Sequence, residues 1–228
     1  DINMFIPAGK TTAVVGANGS GKTTLVKLLC GFYEPKEGKI YYDKENLSVI
    51  DKSSLLKNIT AVFQDFALYN LTAQENIALG DTDHPFNREK AIEAAKAAGI
   101  FDLFERLPNG FETLLGSLFK NGEEMSIGQW QKIAISRAFY RDSPILFMDE
   151  PSSAMDVNSE KQLLQSLHEL AKNKTVLIIS HRLTTVEWAD VIYVLEQGQV
   201  AEYGTHKELM AKKSLYYSMY KSNRGEIG

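Results

Sequence analysis

The glycine-rich segment at residues 16–23 has the residue types and spacing of a loop that binds phosphate groups. It reads Gly-Ala-Asn-Gly-Ser-Gly-Lys-Thr, which matches GxxxxGK(S/T), and it lies between a β-rich run and a helical pattern. Glycines allow successive backbone N–H groups to surround an anion, and the lysine supplies positive charge. The sequence therefore predicts that phosphate is bound by Gly16, Asn18, Gly19, Ser20, Gly21, Lys22, Thr23 and Thr24.

Two adjacent carboxylates, Asp149 and Glu150, follow a short apolar run at residues 145–148. Ligands of open α/β sheets bind at the carboxyl ends of the strands, which is where this run places both side chains. Asp149 and the hydroxyl of Thr23 suit Mg²⁺, while Glu150 suits a general base that polarises an attacking water. We therefore expect this site to hydrolyse the phosphate chain of a nucleotide.

Short apolar runs and helical patterns alternate along the chain, and they predict the elements that position these groups. The runs at 145–148 and 176–179 are almost wholly apolar, which is typical of parallel strands covered on both faces. With the helical pattern between them they form a βαβ unit, so we predict an α/β fold. Further strands are predicted at 2–6, 11–15, 39–42, 59–63, 191–195 and 200–203, and helices at 23–30, 87–107, 126–140 and 159–171 and in a tail from residue 205.

Composition excludes several classes of function. The 228 residues carry a formal net charge of −4, which gives no electrostatic reason to expect a nucleic acid partner. The single cysteine, Cys30, follows two leucines in an apolar helical pattern and is expected to be an inert core thiol. No stretch reaches the roughly 18 apolar residues of a membrane span. The strand pattern that is already under way at residue 2 suggests a domain cut from a longer polypeptide, or one that lacks its disordered beginning.

Together these motifs resemble those of the nucleotide-binding domain of an ATP-binding cassette (ABC) transporter, and the resemblance covers essentially the whole chain. Gln64, at the end of the predicted strand 59–63, matches the glutamine of the family's Q-loop. Ser126, Gly128 and Gln129 stand at the family's signature motif, although Met125 and Ile127 replace its leucine and its first glycine. Residues 152–156 resemble the D-loop, and His181 resembles the switch histidine.

The resemblance implies a fold, a chemistry and a set of site residues. The fold would be a P-loop NTPase core of the RecA-like type with an antiparallel β subdomain (core about residues 1–82 and 144–228) and an inserted α-helical subdomain (about residues 83–143). The cofactors would be ATP and Mg²⁺. Catalysis would fall to Glu150, His181 and Gln64, and metal binding to Thr23, Gln64 and Asp149.

The signature residues also imply a partner. Ser126 begins a predicted helix, where its hydroxyl and the free N–H groups form an anion site. Because the chain already contains a phosphate loop, the resemblance assigns this second site, with Gly128 and Gln129, to the ATP of another nucleotide-binding domain in a head-to-tail dimer. The tail at 204–210 resembles exporter-type domains, which implies a transmembrane domain fused upstream and a location at the cytoplasmic face of the cell (inner) membrane.

Two other functions share these motifs. One is an ATPase clamp that acts on nucleic acid or ribosomes, and the other is the ATPase subunit of an importer. Clamps usually carry a long coiled-coil insertion or two cassettes in one chain, and the sequence contains neither. A regulatory cassette without hydrolysis is disfavoured because Glu150 and His181 are both present.

Overall fold

The structure, a computed structural model, describes residues 2–118, 120–183 and 186–223. Its strands, in chain order, are β1 (Thr11–Gly16), β2 (Tyr41–Tyr42), β3 (Glu45–Asn46), β4 (Ile59–Val62), β5 (Ile145–Asp149), β6 (Thr175–Ile179), β7 (Val191–Glu196) and β8 (Gln199–Gly204). Its helices are α1 (Lys22–Leu29), α2 (Lys52–Asn58), α3 (Ala73–Ala78), α4 (Arg88–Ala97), α5 (Phe101–Arg106), α6 (Ile127–Arg141), α7 (Val157–Ala171), α8 (His206–Lys212) and α9 (Leu215–Asn223).

The main sheet has six strands in the order β4-β5-β6-β1-β7-β8. Strands β5, β6, β1 and β7 are parallel, and β8 turns back as an antiparallel neighbour of β7. All six residues of β1 are buried, as expected of a central parallel strand covered on both faces. The predicted βαβ unit is confirmed, since β5 and β6 are parallel neighbours and α7 lies between them in the chain. Strands β2 and β3 form a separate antiparallel pair.

The described residues form two compact units. The first contains residues 2–61, 143–150, 171–183 and 186–223, and the second contains residues 62–118, 120–142 and 151–170. The division proposed from the sequence, with a helical subdomain at about residues 83–143, stays a prediction. None of the helices in the described part of the chain has the length and hydropathy of a membrane-spanning segment.

The thiol of Cys30 is buried in the first unit, as predicted. Its residue is 1% exposed, and burial raises the pKa of the thiol to about 12. A neutral, inaccessible thiol is a poor nucleophile, so Cys30 contributes packing and no chemistry.

Two predictions about secondary structure are wrong. Residues 2–6 show the expected alternation of half-buried and exposed side chains but form no strand. The backbone N–H and C=O of Phe5 instead bind the hydroxyl of Tyr193, at 3.1 and 3.0 Å. The predicted helix at 87–107 is two helices, α4 and α5, because Gly99 adopts a left-handed conformation (φ +68°) that ends α4.

Candidate active site

Three neighbouring strands of the first unit end at one edge of the sheet, and each carries predicted site residues just beyond its end. In the ladder, Asp149 of β5 and Val14 of β1 both lie opposite Ile179 of β6. The phosphate loop therefore begins two residues beyond the level at which Asp149 ends its strand. His181 follows β6 by two residues, so the structure brings the phosphate loop, both carboxylates and the histidine to the same edge.

The backbone of the phosphate loop requires glycine at specific positions. At Gly16 a Cβ atom would lie 2.2 Å from the carbonyl oxygen of Leu195, a distance that no side chain allows. Gly21 has φ +100° and is the N-cap of α1 without a side-chain hydrogen bond. No capping side chain thus competes with an anion for the N–H groups of the first turn. Thr23 is half-buried, whereas Asn18, Gly19 and Thr24 are exposed.

The ammonium of Lys22 lies inside this loop. Its Nζ donates to the carbonyl oxygens of Gly16 and Ala17, each at 2.9 Å, and the residue is 6% exposed. Burial lowers the pKa of Lys22, while the nearby carboxylates of Glu150 and Asp149 oppose that shift. An ammonium with three donors can exchange these carbonyls for phosphate oxygens, which are charged and accept stronger hydrogen bonds.

The hydroxyl of Ser20 is an independent sign that the loop fits a phosphate. Its Oγ is buried and has no hydrogen-bond partner among the residues that the structure describes. A buried polar atom without a partner costs free energy, so it normally marks a position where a ligand or a water completes the site. In a phosphate loop the fitting partner is a phosphate oxygen.

Glu150 and His181 are in direct contact. The Oε2 atom of Glu150 lies 3.1 Å from Nδ1 of His181, and the two side chains are 13% and 47% exposed. The backbone of Glu150 is left-handed (φ +52°), which is uncommon for glutamate, and its N–H donates to the carbonyl of Ile179 at 2.9 Å. This turn lets Glu150 contact His181 while Asp149 completes its strand, and strain of this kind is concentrated at functional sites.

The oxygen donors at the sheet edge fit Mg²⁺. Asp149 provides a carboxylate that is 1% exposed, and Thr23 provides a hydroxyl in the first turn of α1. Within residues 2–118, 120–183 and 186–223, no group of three or more His, Cys, Asp or Glu side chains could hold a metal ion by itself. Mg²⁺ does not require such a group, because in nucleotide sites it binds one or two protein oxygens together with phosphate oxygens.

The remaining predicted site residues lie in the second unit. Ser126 is the exposed N-cap of α6, where its Oγ accepts from the N–H of Gln129 at 3.3 Å and its own N–H donates to Oε1 of Gln129 at 2.7 Å. This capping box ties the Gln129 side chain to its own helix. Ile127 is 60% exposed, so the residue that replaces the signature glycine projects outward. Gln64 is exposed in the segment that follows β4.

Arg137 fixes the segment after Gln64, and no pattern in the sequence indicates this role. From the middle of α6 its guanidinium donates to Asn76 O (3.0 Å), Asn76 Oδ1 (2.6 Å) and Ala67 O (2.8 Å), and it lies 4.8 Å from the ring centroid of Tyr69. Burial lowers the pKa of Arg137 to about 10, so the side chain remains a cation at neutral pH.

Asn76 completes this network. Its residue is fully buried, and its Nδ2 donates to the carbonyls of Tyr69, Leu71 and Thr72 at 3.0, 3.1 and 3.1 Å. The side chains of Arg137 and Asn76 together donate hydrogen bonds to the backbone carbonyls of a segment that has no secondary structure of its own. An arginine and an asparagine 61 positions apart carry no local pattern, which is why only the structure reveals their pairing.

We predict that Arg137→Met destabilises the chain by roughly 2–4 kcal/mol, because it removes a buried network and leaves carbonyl groups without donors. The measurement is urea unfolding at equilibrium. Arg106→Met is the matched control, since Arg106 is exposed and its Nε donates to Asp102 O one turn earlier in α5. It should cost less than about 0.5 kcal/mol. Equal losses for the two variants would contradict this function of Arg137.

Comparison with known proteins agrees with this geometry. A family model described as ABC transporter matches residues 1–153. The chain belongs to this family. ATP-dependent lipid A-core flippases from Salmonella typhimurium (strain LT2) and Escherichia coli (strain K12) are 44% and 43% identical to it over 226 residues. In each case the match covers 99% of the chain and 38% of the relative.

A solved structure of a bacterial Atm1-family ABC exporter with ATP bound extends the likeness to the fold. It superposes with a TM-score of 0.89 at 37% identity, over 95% of this chain and 37% of that one. The predicted P-loop NTPase fold is confirmed, and the chain is an ATPase domain of the ABC family that is similar to the corresponding domains of exporters. The clamp and importer alternatives are not favoured.

Proposed function

We propose that this domain binds ATP with Mg²⁺ in the phosphate loop and hydrolyses it with Glu150 as the general base. The observation that carries the proposal is the meeting of Lys22, Glu150 and His181 at one sheet edge, with Glu150 held 3.1 Å from His181. A buried cation suits the phosphates, and a carboxylate fixed beside a histidine suits an attacking water.

Each side chain has a distinct task in this proposal. Lys22 exchanges its loop carbonyls for the outer phosphate oxygens, and the hydroxyl of Ser20 gains the partner that it lacks in the loop. Asp149 and Thr23 would hold Mg²⁺, which neutralises phosphate charge when it is bound. Their oxygen atoms match the preference of this ion.

Glu150 carries the proton transfer, and His181 orients it. Glu150 accepts a proton from the attacking water, and Nδ1 of His181 fixes the direction in which the carboxylate points. His181 is 47% exposed, so the ring is also accessible to the terminal phosphate. This pairing keeps the base oriented before the substrate arrives, which reduces the reorganisation needed in the transition state.

A second copy of the domain completes the site in our proposal. Ser126 is exposed at the start of α6, and in our proposal it forms with Gly128 an anion site that is separate from the phosphate loop. We infer that they bind the ATP of the partner copy, so that two ATP molecules lie between head-to-tail domains. Gln129 supports this site through its capping box with Ser126.

The cellular function proposed is export at the cytoplasmic face of a membrane. The chain spans 38% of the length of the flippases that it resembles, and we propose that a transmembrane domain is fused upstream here too. The names of those relatives favour a lipid-like substrate. Movement of labelled lipid between the leaflets of liposomes that contain the full-length protein tests this, and ATP hydrolysis without movement would contradict it.

We predict that Ser126→Asp lowers ATP turnover at least about tenfold, whereas Ser126→Asn changes it less than about threefold. Both residues cap a helix as well as serine does, but only aspartate places a negative charge where the partner's phosphate would lie. Phosphate release and ATP affinity at low protein concentration are measured for both variants. ATP affinity should be unchanged, because the phosphate loop is elsewhere in the chain. Equal turnover of the two variants would contradict a phosphate contact at Ser126.

A further inference from the structure

Gln131 lies in the second turn of α6, and its polar side chain is almost completely buried. The residue is 1% exposed. Its amide nitrogen donates to Oγ of Ser153 at 3.0 Å, and its amide oxygen accepts from the N–H of Ala154 at 3.0 Å. An amide that uses both ends on one loop fixes the position and the orientation of that loop. We call Gln131, Ser153 and Ala154 the Gln131 clamp.

The start of α6 fits the same loop sterically. A Cβ atom at Gly128 would lie 2.7 Å from the carbonyl oxygen of Ala154, so any larger residue would displace the loop. One turn further along α6, Nζ of Lys132 donates to Oγ of Ser159 at 2.8 Å, near the start of α7. Three successive contacts therefore join the start of α6 to residues 153–159.

The loop is also ordered within itself. The hydroxyl of Ser152 donates to Oε1 of Glu160 at 2.7 Å, and Oδ1 of Asp156 accepts from the N–H groups of Asn158 and Ser159 at 3.0 Å. The N–H of Met155 donates to the carbonyl of Ser152 at 3.1 Å. A loop with this internal order moves as one piece, and the clamp decides where that piece lies on α6.

The residues around the clamp that face outward include those that the proposed function assigns to a second copy. Ser126 and Ala154 are exposed, and Ile127 and Val157 are 60% and 78% exposed. Large aliphatic side chains with this exposure at the first positions of α6 and α7 gain little from contacts within their own chain. They gain if a partner covers them.

We propose that Gln131 is a positioning residue for the shared ATP site: it fixes loop 152–156 to the start of α6, so that Ser126 and the loop meet the second copy as one preformed surface. This inference rests on the proposed function. If the loop became ordered only during association, the loss of conformational entropy would weaken the association of the two copies. The Gln131 clamp orders the loop beforehand, so it strengthens this association without touching ATP.

The test is the dependence of ATP turnover on protein concentration. Gln131→Met keeps the volume of the side chain and removes both hydrogen bonds, so the protein concentration at half-maximal turnover should rise about tenfold. ATP affinity at low protein concentration should stay unchanged. Ser153→Ala should give a smaller shift, and the double variant should match Gln131→Met alone, because the two residues act through one contact.

Gln162→Met is the matched control, since Gln162 of α7 is exposed. It should behave as the original chain does. The inference is overturned if Gln131→Met and Gln162→Met have the same concentration dependence, or if Gln131→Met lowers only the melting temperature. If Gln131→Met does not fold, Ser153→Ala is the deciding variant. The inference is then overturned if Ser153→Ala leaves the protein concentration at half-maximal turnover unchanged. Turnover of the original chain that does not depend on protein concentration would instead overturn the proposed shared site.

Discussion

Glu150→Gln lowers ATP turnover by about a thousandfold, within the range that general bases contribute, and it leaves ATP binding intact. The amide of glutamine can still accept from Nδ1 of His181, so the 3.1 Å contact and the left-handed turn at this position can persist. What is lost is the ability to take a proton from water. Phosphate release under saturating ATP measures turnover, and titration with a fluorescent ATP analogue measures binding.

Glu93→Gln provides the control for this variant, because Glu93 is an exposed residue of α4. It should hydrolyse ATP at the rate of the original chain. A Glu150→Gln chain that retained more than about a tenth of the original turnover would show that Glu150 is not the base.

Lys22→Met is the second large effect, and we expect kcat/KM for ATP to fall at least about a hundredfold. Methionine keeps much of the buried aliphatic stem but removes the ammonium that donates to the carbonyls of Gly16 and Ala17. The phosphates then lose their one cation inside the loop. Lys27→Met in the last turn of the same helix is the control, since Lys27 lies away from the loop and should not affect kinetics.

A fall in kcat/KM caused by unfolding would mimic this result, so the melting temperature is measured in parallel. We expect Lys22→Met to remain folded at the assay temperature. An unchanged kcat/KM in a folded Lys22→Met chain would contradict the phosphate contact of Lys22.

The sequence predicted the parts of the site that local patterns determine. Residues 16–23 require glycine for their backbone shape, and the apolar runs at 145–148 and 176–179 show burial on both faces. Because parallel strands end at a common edge, these patterns were enough to predict that Asp149 and Glu150 lie near the phosphate loop. The structure has this arrangement.

Contacts between distant residues could not be predicted in this way. The contact between the side chains of Glu150 and His181 depends on the left-handed backbone of Glu150. Glutamate rarely adopts this conformation, so the residue type did not predict it. The buried amide of Gln131 binds Ser153 and Ala154, which lie 22 and 23 positions further along the chain. Glutamine in a helix is more often exposed, so its residue type did not indicate this contact. The strand predicted at residues 2–6 is wrong because the alternation of side chains reports burial but not hydrogen bonding to a neighbouring strand.

We propose that each ATP site is built from two copies of the chain, and a mixture of two impaired variants tests this arrangement. Lys22→Met removes the phosphate loop's cation, and Ser126→Asp blocks the surface offered to the partner. In a mixed dimer, one site combines the intact phosphate loop of one chain with the intact Ser126 of the other. Equal mixing should therefore restore up to about a quarter of the original turnover, since half of the dimers are mixed and one of their two sites is intact. Turnover no higher than the sum of the separate variants would contradict the shared site.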